Sequence, residues 1–274
     1  MIEIINILEK NNCYKSGRKM KNVKGVLIHD TATPGATPET FMTSWNVPRP
    51  NGVSVCVHAF CDDKKVINTL PYDMRAWGCG SGNRGSGNDN YVQIEMCVPK
   101  EVYFEDSWKY RTRNKGLTDE YIKSTVDNVV EWTVERLMEL NIKEVTPLNV
   151  TSHYEAYKLG IASNHGDPEG FLSLAGLNMD IIRKRVQELL DFKYGKTKED
   201  TRLKDGEVGK TNKSMYRIKV VVDVLNIRKG PSTSSAIVGQ INDRGVYTIV
   251  ETKGAWGKLK SGAGWICLDY TEKR

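Results

Sequence analysis

The run Gly25-Val-Leu-Ile-His-Asp-Thr-Ala32 decides how the first two thirds of this 274-residue chain can fold. Its three consecutive aliphatic residues, 26–28, predict a strand buried on both faces, as in an α/β sheet. His29 follows at the carboxyl end of that strand, where the ligands of α/β sheets usually gather. Taken alone, this position favours a core histidine and a functional histidine equally.

From this run to residue 191, strand-like segments alternate with helical patterns. Four short apolar segments are predicted as strands: 26–28, 53–60, 66–67 and 91–98. Three segments with apolar residues at helical spacing are predicted as helices: 38–46, 119–140 and 177–191. Thr37 and Thr118 are the N-cap candidates of the first two helices. Residues 1–191 are therefore predicted to form an α/β domain, with a mixed central β-sheet flanked by helices.

The last third of the chain has a different pattern. Residues 192–215 are polar and glycine-bearing, which predicts a flexible linker. Residues 216–274 contain short apolar runs separated by turns, which predict a small all-β barrel. The net charge is −2 for residues 1–191, +3 for 192–215 and +5 for 216–274. A basic C-terminal module suggests an anionic polymer as partner, although a merely solvated basic surface is the alternative. Nucleic acid is disfavoured, because no helix-turn-helix, zinc-finger or RNP-type string carries the charge.

The first ten residues, MIEIINILEK, lack the basic region, apolar stretch and cleavage site of a secretory signal. No segment approaches the ~18 apolar residues of a membrane-spanning helix. The expectation is a protein made in the cytoplasm, without membrane insertion, that reaches any extracellular target by another route. For such a chain we predict buried thiols rather than disulfides, and no cysteine pair has metal-ligand spacing. The six cysteines are Cys13, Cys56, Cys61, Cys79, Cys97 and Cys267.

The histidines and one aspartate are the candidate ligands of a metal site. All four histidines lie in the first 170 residues: His29, His58, His153 and His165. His153 begins a helical stretch, and Asp167 follows His165 by two positions in a loop. Imidazole nitrogens and a carboxylate suit zinc, and a catalytic zinc site takes three protein ligands and leaves a fourth position for water. From the residues alone, His165 and Asp167 are both competent third ligands.

Six strings in this order, GVLIHDTA, VHAFCDD, LPYDMRAWGCG, NYVQIEMC, TSHYEA and NHGDPEGF, resemble the zinc-dependent type-2 N-acetylmuramoyl-L-alanine amidases. The resemblance covers roughly residues 20–190 and implies the type-2 amidase fold. It also implies that His29, His153 and Asp167 bind zinc. By the same resemblance, Glu95 takes a proton from water, and His165 donates to the substrate oxyanion instead of binding zinc.

The sequence leaves an alternative open for Glu95 and gives expectations for His58, Gly78 and the glycine-rich run that follows Trp77. Glu95 lies on a strand face with Gln93, and a solvated carboxylate on an exposed face is the alternative. His58 is expected in the core or behind the ligands. Gly78 follows Trp77 at a position where many relatives have histidine. This difference is expected to affect contacts with the substrate at the rim of the cleft. The glycine-rich run 78–88 is expected to be a mobile loop beside the cleft.

The string LNIRKGPST at 225–233 resembles bacterial SH3-like domains of cell-wall-binding proteins. This resemblance implies a module that holds an enzyme on the wall through its tether. Trp256 and Trp265 are expected to be buried, so no wall-binding residue is predicted.

Together the two resemblances imply a peptidoglycan hydrolase that cuts the amide between N-acetylmuramic acid and L-alanine, with bacterial peptidoglycan as its partner. A phage endolysin, released by a separate membrane-permeabilising protein (a holin), is the expected setting. An autolysin exported by another route is the alternative within this class. A recognition protein that binds wall without cutting it is the alternative outside it, and Asp167 argues against that class because such proteins typically lose the third ligand.

Overall fold

The computed structural model describes residues 1–49, 55–106, 109–195, 216–222, 224–232, 235–253 and 255–273. The chain divides into two compact units, Met1–Leu190 and Asp191–Arg274. No helix in the described part of the chain is long and apolar enough to cross a membrane.

Six strands of the first unit form a mixed β-sheet. They are β1 Ile2–Ile5, β2 Gly25–Asp30, β3 Ala59–Cys61, β4 Lys65–Asn68, β5 Tyr91–Met96 and β8 Val150–Ser152. Their order across the sheet is β1-β4-β3-β5-β2-β8, and β3 and β4 form its antiparallel pair while the other neighbours run parallel. A separate hairpin joins β6 Val102–Phe104 to β7 Tyr110–Thr112. The predicted mixed sheet is confirmed.

The register of β2 with its two neighbours positions the functional residues. All six residues of β2 are buried, as its apolar run predicts. His29 on β2 is paired with Glu95 on β5, and Ile28 is paired with Ser152 at the end of β8. Because all three strands are parallel, their carboxyl ends meet at one edge of the sheet.

Six helices accompany this sheet: α1 Asn12–Ser16, α2 Pro38–Ser44, α3 Lys115–Glu139, α4 His153–Lys158, α5 Glu169–Ser173 and α6 Met179–Lys193. The predicted N-cap of α3 is wrong: Asn114 caps it by accepting from the Leu117 N–H. Thr118 lies one turn later, buried, with its hydroxyl 2.6 Å from that of Thr112. Helix α6 extends to Lys193, two residues into the predicted linker, and residues 196–215 lie outside the described part of the chain.

The predicted strand at 53–60 is shorter than expected. Only Ala59 and Phe60 of it are in β3, and residues 53–54 lie outside the described residues. The preceding residues are buried but pair irregularly: Cys56 accepts from the Trp77 N–H, whereas His58 donates its N–H to the Gln93 carbonyl. The apolar sequence correctly predicts that this segment is buried. A regular strand ladder does not form, because the backbone groups of the segment bond to two different parts of the chain.

Cys13 and Cys56 form a disulfide bond, so the prediction of thiols throughout is wrong at this pair. The two cysteines lie 43 residues apart and are enclosed in an apolar cluster with Leu70 and Ala76. Their spacing in the sequence gives no sign of that proximity, because it depends on how α1 packs against the segment before β3. The remaining cysteines are outside disulfides, and Cys61, Cys79 and Cys97 are buried as predicted.

Removing this disulfide with the double substitution Cys13→Ser/Cys56→Ser is expected to destabilise the Met1–Leu190 unit by about 4 kcal/mol. The value is the loop-closure entropy of a 43-residue loop, which the crosslink removes from the unfolded chain. Urea unfolding of the oxidised parent and the variant measures it. A reductant should lower the stability of the parent and leave that of the variant unchanged. An equal effect of the reductant on both proteins would contradict the prediction.

The second unit is an all-β structure, as predicted. Its seven strands are β9 Tyr216–Val220, β10 Leu225–Arg228, β11 Ile237–Ile241, β12 Val246–Lys253, β13 Trp256–Leu259, β14 Trp265–Cys267 and β15 Thr271–Lys273. They form one antiparallel sheet in the order β11-β10-β14-β13-β12-β9-β15. Inward aliphatic residues on alternate positions, such as Ile218 and Val220, form a single core. Trp265 is buried and Trp256 is half-buried.

Candidate metal centre

His29 and His153 meet at the carboxyl edge of the sheet. His29 is the fifth residue of β2, and His153 is the first residue of α4, directly after β8. Ser152 and Glu155 form a capping box that fixes the start of α4 and therefore the direction of the His153 side chain. The two Nδ1 atoms lie 3.1 Å apart, and both imidazoles are buried.

Asp167 completes this group from the loop before α5. The backbone N–H of Tyr154 donates to the Asp167 carbonyl, which ties the loop to α4. The carboxylate Oδ2 lies 3.0 Å from Nδ1 of His29, and Oδ1 lies 3.2 Å from Nδ1 of His153. The structure therefore brings together the three side chains that the sequence predicts as ligands.

The donor set fits a tetrahedral zinc ion. Zinc bonds of about 2.0 Å place the ligand atoms of a tetrahedron about 3.3 Å apart, close to the spacing between these three side chains. A ligating carboxylate must be ionised. Burial opposes ionisation of Asp167, but the hydrogen bonds and charges of His153 and His29 outweigh it and hold the pKa of Asp167 well below its usual value.

Further carboxyl groups make the surroundings of this group acidic. Burial raises the pKa of Asp30 to about 7, and the charge of Asp167 adds to the shift, although the Tyr110 hydroxyl donates to Asp30. Burial likewise raises the pKa of Glu169 to about 7, although the Ser152 hydroxyl donates to it. This concentration of acidic groups suits a bound cation, which would offset their mutual repulsion.

Glu95 lies beside the group, in register with His29 on the neighbouring strand. Both faces of β5 are buried, so the alternative of a solvated carboxylate is wrong. Its Oε2 has no hydrogen-bond partner among the described residues. Burial raises the pKa of Glu95 well above its usual value, and the charges of Asp167 and Asp30 raise it further. A carboxyl group that readily takes up a proton therefore lies at the edge of the metal centre.

His165 lies at the exposed side of the same group and is not one of its three converging ligands. Its ring centroid is 4.7 Å from that of His153, and its Nδ1 lies 3.0 Å from the Ser163 hydroxyl. Partial burial and the neighbouring charge of His153 lower the pKa of His165, which favours a neutral imidazole. The position suits a hydrogen-bond donor that faces a bound substrate.

His58 is a core residue, as expected. Its Nδ1 accepts the backbone N–H of Gln93 at 2.9 Å, and its Nε2 donates to the Met74 carbonyl at 2.8 Å. The side chain is fully buried, and burial lowers its pKa to about 4, although the hydrogen bond to Met74 opposes the shift. His58 thus links β5 to the segment before Trp77 as a neutral imidazole.

Lowering the pH from 6.5 to 4 is expected to cost the metal-free protein about 3 kcal/mol of stability through His58 alone. The unfolded state takes up a proton near the usual pKa of 6.5, whereas the folded state takes it up only near 4. The contribution is therefore complete above pH 6.5 and is lost as the pH falls. Urea unfolding at several pH values should show this excess pH dependence in the parent relative to His58→Gln, whose amide does not titrate. Parallel curves for the two proteins would contradict it.

Gly78 is half-buried, and a side chain at this position would point into the interior. A Cβ atom at this position would lie 2.3 Å from Oε1 of Gln93 and 2.8 Å from Cγ1 of Val57. The glycine-rich run 78–88 is tied to the segment after α4 by backbone hydrogen bonds. The backbone N–H of Gly87 donates to the carbonyl of Ile161, and the backbone N–H of Arg84 donates to the carbonyl of Gly160.

Sequence reasoning missed three polar residues behind the histidines. Gln93 Oε1 lies 3.1 Å from Nε2 of His29, and Ser163 Oγ lies 3.4 Å from Nε2 of His153. Asn88, which is also buried, contacts the amide of Gln93. The alternation of β5 places Gln93 on the same face as Glu95, and that pattern was the available signal.

Comparison with known proteins agrees with this geometry. Residues 19–170 match the family model described as N-acetylmuramoyl-L-alanine amidase, and residues 223–271 match the bacterial SH3 domain. A bifunctional autolysin of Staphylococcus aureus is 23% identical over 173 residues, which are 63% of this chain and 12% of that protein. The chain thus spans a small part of the length of the curated relatives it matches.

Among solved structures, the Staphylococcus aureus hydrolase AmiA in complex with its ligand has a similar fold. The TM-score is 0.51 at 22% identity, over 72% of this chain and 86% of that one. The family model covers more than half of the present chain. The chain therefore belongs to the N-acetylmuramoyl-L-alanine amidase family and carries a bacterial SH3 domain after its amidase domain.

Proposed function

We propose that this protein is a zinc-dependent peptidoglycan amidase that hydrolyses the bond between the lactyl group of N-acetylmuramic acid and L-alanine of the stem peptide. The observation that carries the proposal is the convergence of His29, His153 and Asp167 beside the buried carboxyl group of Glu95. Membership of the amidase family supplies the reaction class.

Each residue has a distinct task in this proposal. A zinc ion held by His29, His153 and Asp167 would polarise the scissile carbonyl and lower the pKa of water. Glu95 accepts a proton from the attacking water and passes it to the departing amine of L-alanine. The raised pKa of Glu95 suits a group that must hold that proton briefly. His165 donates a hydrogen bond to the oxygen on which negative charge develops, a contribution of a few kcal/mol when well placed.

The SH3 domain is proposed to hold the enzyme on the cell wall. Residues 216–274 carry a net charge of +5, which complements an anionic wall polymer. Binding through this domain would raise the local concentration of scissile bonds around the amidase domain.

As the biological setting we propose a phage endolysin, with a bacterial autolysin as the alternative. Both act on peptidoglycan, but they differ in how they reach it. Expression in a susceptible host, with and without a membrane-permeabilising protein, separates them. Lysis only with that protein supports the endolysin, and lysis without it supports an autolysin that has its own export route.

The test of the enzymatic proposal is product analysis on purified peptidoglycan. The intact chain should carry about one zinc ion and release amino termini that belong to L-alanine, without new reducing sugar ends. Removal of the metal with a chelator should stop the release, and added zinc should restore it. If the chain binds peptidoglycan but releases no amino termini with zinc present, the proposal fails and a recognition protein takes its place.

A further inference from the structure

We propose that Gln93, held in one orientation by Asn88, is a positioning residue that fixes the tautomer of His29 and so directs its Nδ1 lone pair to the metal. The inference rests on the proposed function only in that it assumes a metal between His29, His153 and Asp167. It concerns the residues behind the ligands, which no motif in the sequence marks.

The orientation of Asn88 is fixed by the backbone of the glycine-rich run. One side-chain atom lies 3.0 Å from the N–H of Gly78 and 3.1 Å from the N–H of Cys79. Because both neighbours are donors, that atom must be the acceptor Oδ1. The other atom lies 2.9 Å from the Gly80 carbonyl, which only accepts, and is therefore the donor Nδ2.

The orientation of Asn88 in turn fixes that of Gln93. One amide atom of Gln93 lies 2.9 Å from Oδ1 of Asn88 and must be the donor Nε2. The acceptor Oε1 then faces Nε2 of His29 at 3.1 Å, so that nitrogen carries the proton. A neutral imidazole has one protonated nitrogen, so when a metal ion lies between the three ligands, Nδ1 of His29 is the nitrogen whose lone pair is available to it.

Burial makes this chain of hydrogen bonds decisive. Gln93 is fully buried, and His29 and Asn88 are 1% and 4% exposed. Solvent therefore does not replace a lost partner, and an unpaired N–H on His29 would be costly. Without the acceptor on Gln93, His29 is free to move its proton to Nδ1, where the proton competes with the metal.

Gly78 is part of the same arrangement, because it leaves the space that the amide of Gln93 occupies. A methyl group at this position would lie 2.3 Å from Oε1 of Gln93, on the atom that accepts from His29. The absence of a side chain after Trp77 therefore gives His29 its hydrogen-bond partner.

The first measurement is the tautomer of His29 in the zinc-loaded parent, from long-range ¹H–¹⁵N correlations, because without the metal the Asp167 carboxylate, 3.0 Å from Nδ1, would itself draw a proton to that nitrogen. With four histidines in the chain, the assignment is tractable. We expect a proton on Nε2. A proton on Nδ1 would overturn the proposal whatever the variants do.

The second measurement is the zinc dissociation constant, from competition with a chelator. Gln93→Met removes the acceptor and should weaken zinc binding about 10–100-fold, the usual effect of losing a partner behind a metal ligand. Gln93→Glu, with its buried carboxyl group protonated and donating to Oδ1 of Asn88, keeps an acceptor for His29 and should stay within a few-fold of the parent. The matched control is Asn128→Leu, which removes a buried amide that donates to the Asp62 carbonyl and should leave zinc affinity unchanged.

Folding of each variant is checked by circular dichroism. A folded Gln93→Met that binds zinc as tightly as the parent would overturn the proposal, and so would equal losses in Gln93→Met and Asn128→Leu. Neither measurement uses peptidoglycan. A protein with the expected tautomer and zinc affinities that cuts no wall would therefore contradict the amidase proposal and leave this one standing.

Discussion

Replacing Asp167 with alanine is expected to weaken zinc binding by more than about 100-fold, beyond the effect of losing a partner behind the ligands. The substitution removes the anionic member of the three converging side chains and leaves only the two imidazoles as ligands. Release of L-alanine amino termini should fall with the bound zinc. Zinc per chain after dialysis, together with release from purified peptidoglycan, measures both effects.

The matched control for this substitution is Asp119→Ala, which removes a carboxylate paired with Lys115 in the first turn of α3. It should leave zinc content and activity unchanged. Full zinc occupancy and activity in Asp167→Ala would remove Asp167 from the ligand set and make His165 the candidate for the third position.

Replacing Glu95 with glutamine is expected to lower kcat/KM by about 10²–10⁴-fold, the usual contribution of a general acid–base group. Zinc content should stay near that of the parent, because Glu95 is not one of the three converging ligands. The fold should tolerate the change, since the raised pKa already favours the uncharged carboxyl group in this buried position. Activity, zinc content and thermal unfolding of the same preparation provide the three readouts.

The comparison variant is Glu39→Gln, which neutralises a surface carboxylate paired with Lys65. It should keep the activity of the parent. Activity of Glu95→Gln within ten-fold of the parent would show that another group moves the proton. Loss of zinc would instead place Glu95 among the ligands.

The three side chains that converge in the structure could be selected from the sequence because they adjoin recognisable elements. His29 ends an apolar run and His153 begins a helical one, and the carboxyl ends of parallel strands share an edge. The choice of Asp167 over His165 came from resemblance alone. Residue type and spacing do not show which of two neighbours in a loop turns inward.

The residues that surround the three candidate ligands could not be predicted from the sequence pattern. Gln93 contacts His29 only because β2 and β5 pair in one particular register and Asn88 returns from the run 78–88. The close approach of Gly78 to the side chain of Gln93 depends on the same packing. Strand β1 was not predicted. It lies at one edge of the six-stranded sheet and its residues are exposed, so its apolar residues do not indicate a position in the core.

The wide separation of His29, His153 and Asp167 in the sequence also determines when these side chains can meet during synthesis of the chain. His153 leaves the ribosome 124 residues after His29, and Asp167 leaves it 138 residues after His29. A nascent chain that ends before Asp167 therefore holds at most two of the three ligands, whatever it has folded so far. Binding of a metal by all three side chains therefore requires contacts between residues that are far apart in the sequence. If the proposed function is right, shorter translation products are therefore expected to release no amino termini from peptidoglycan.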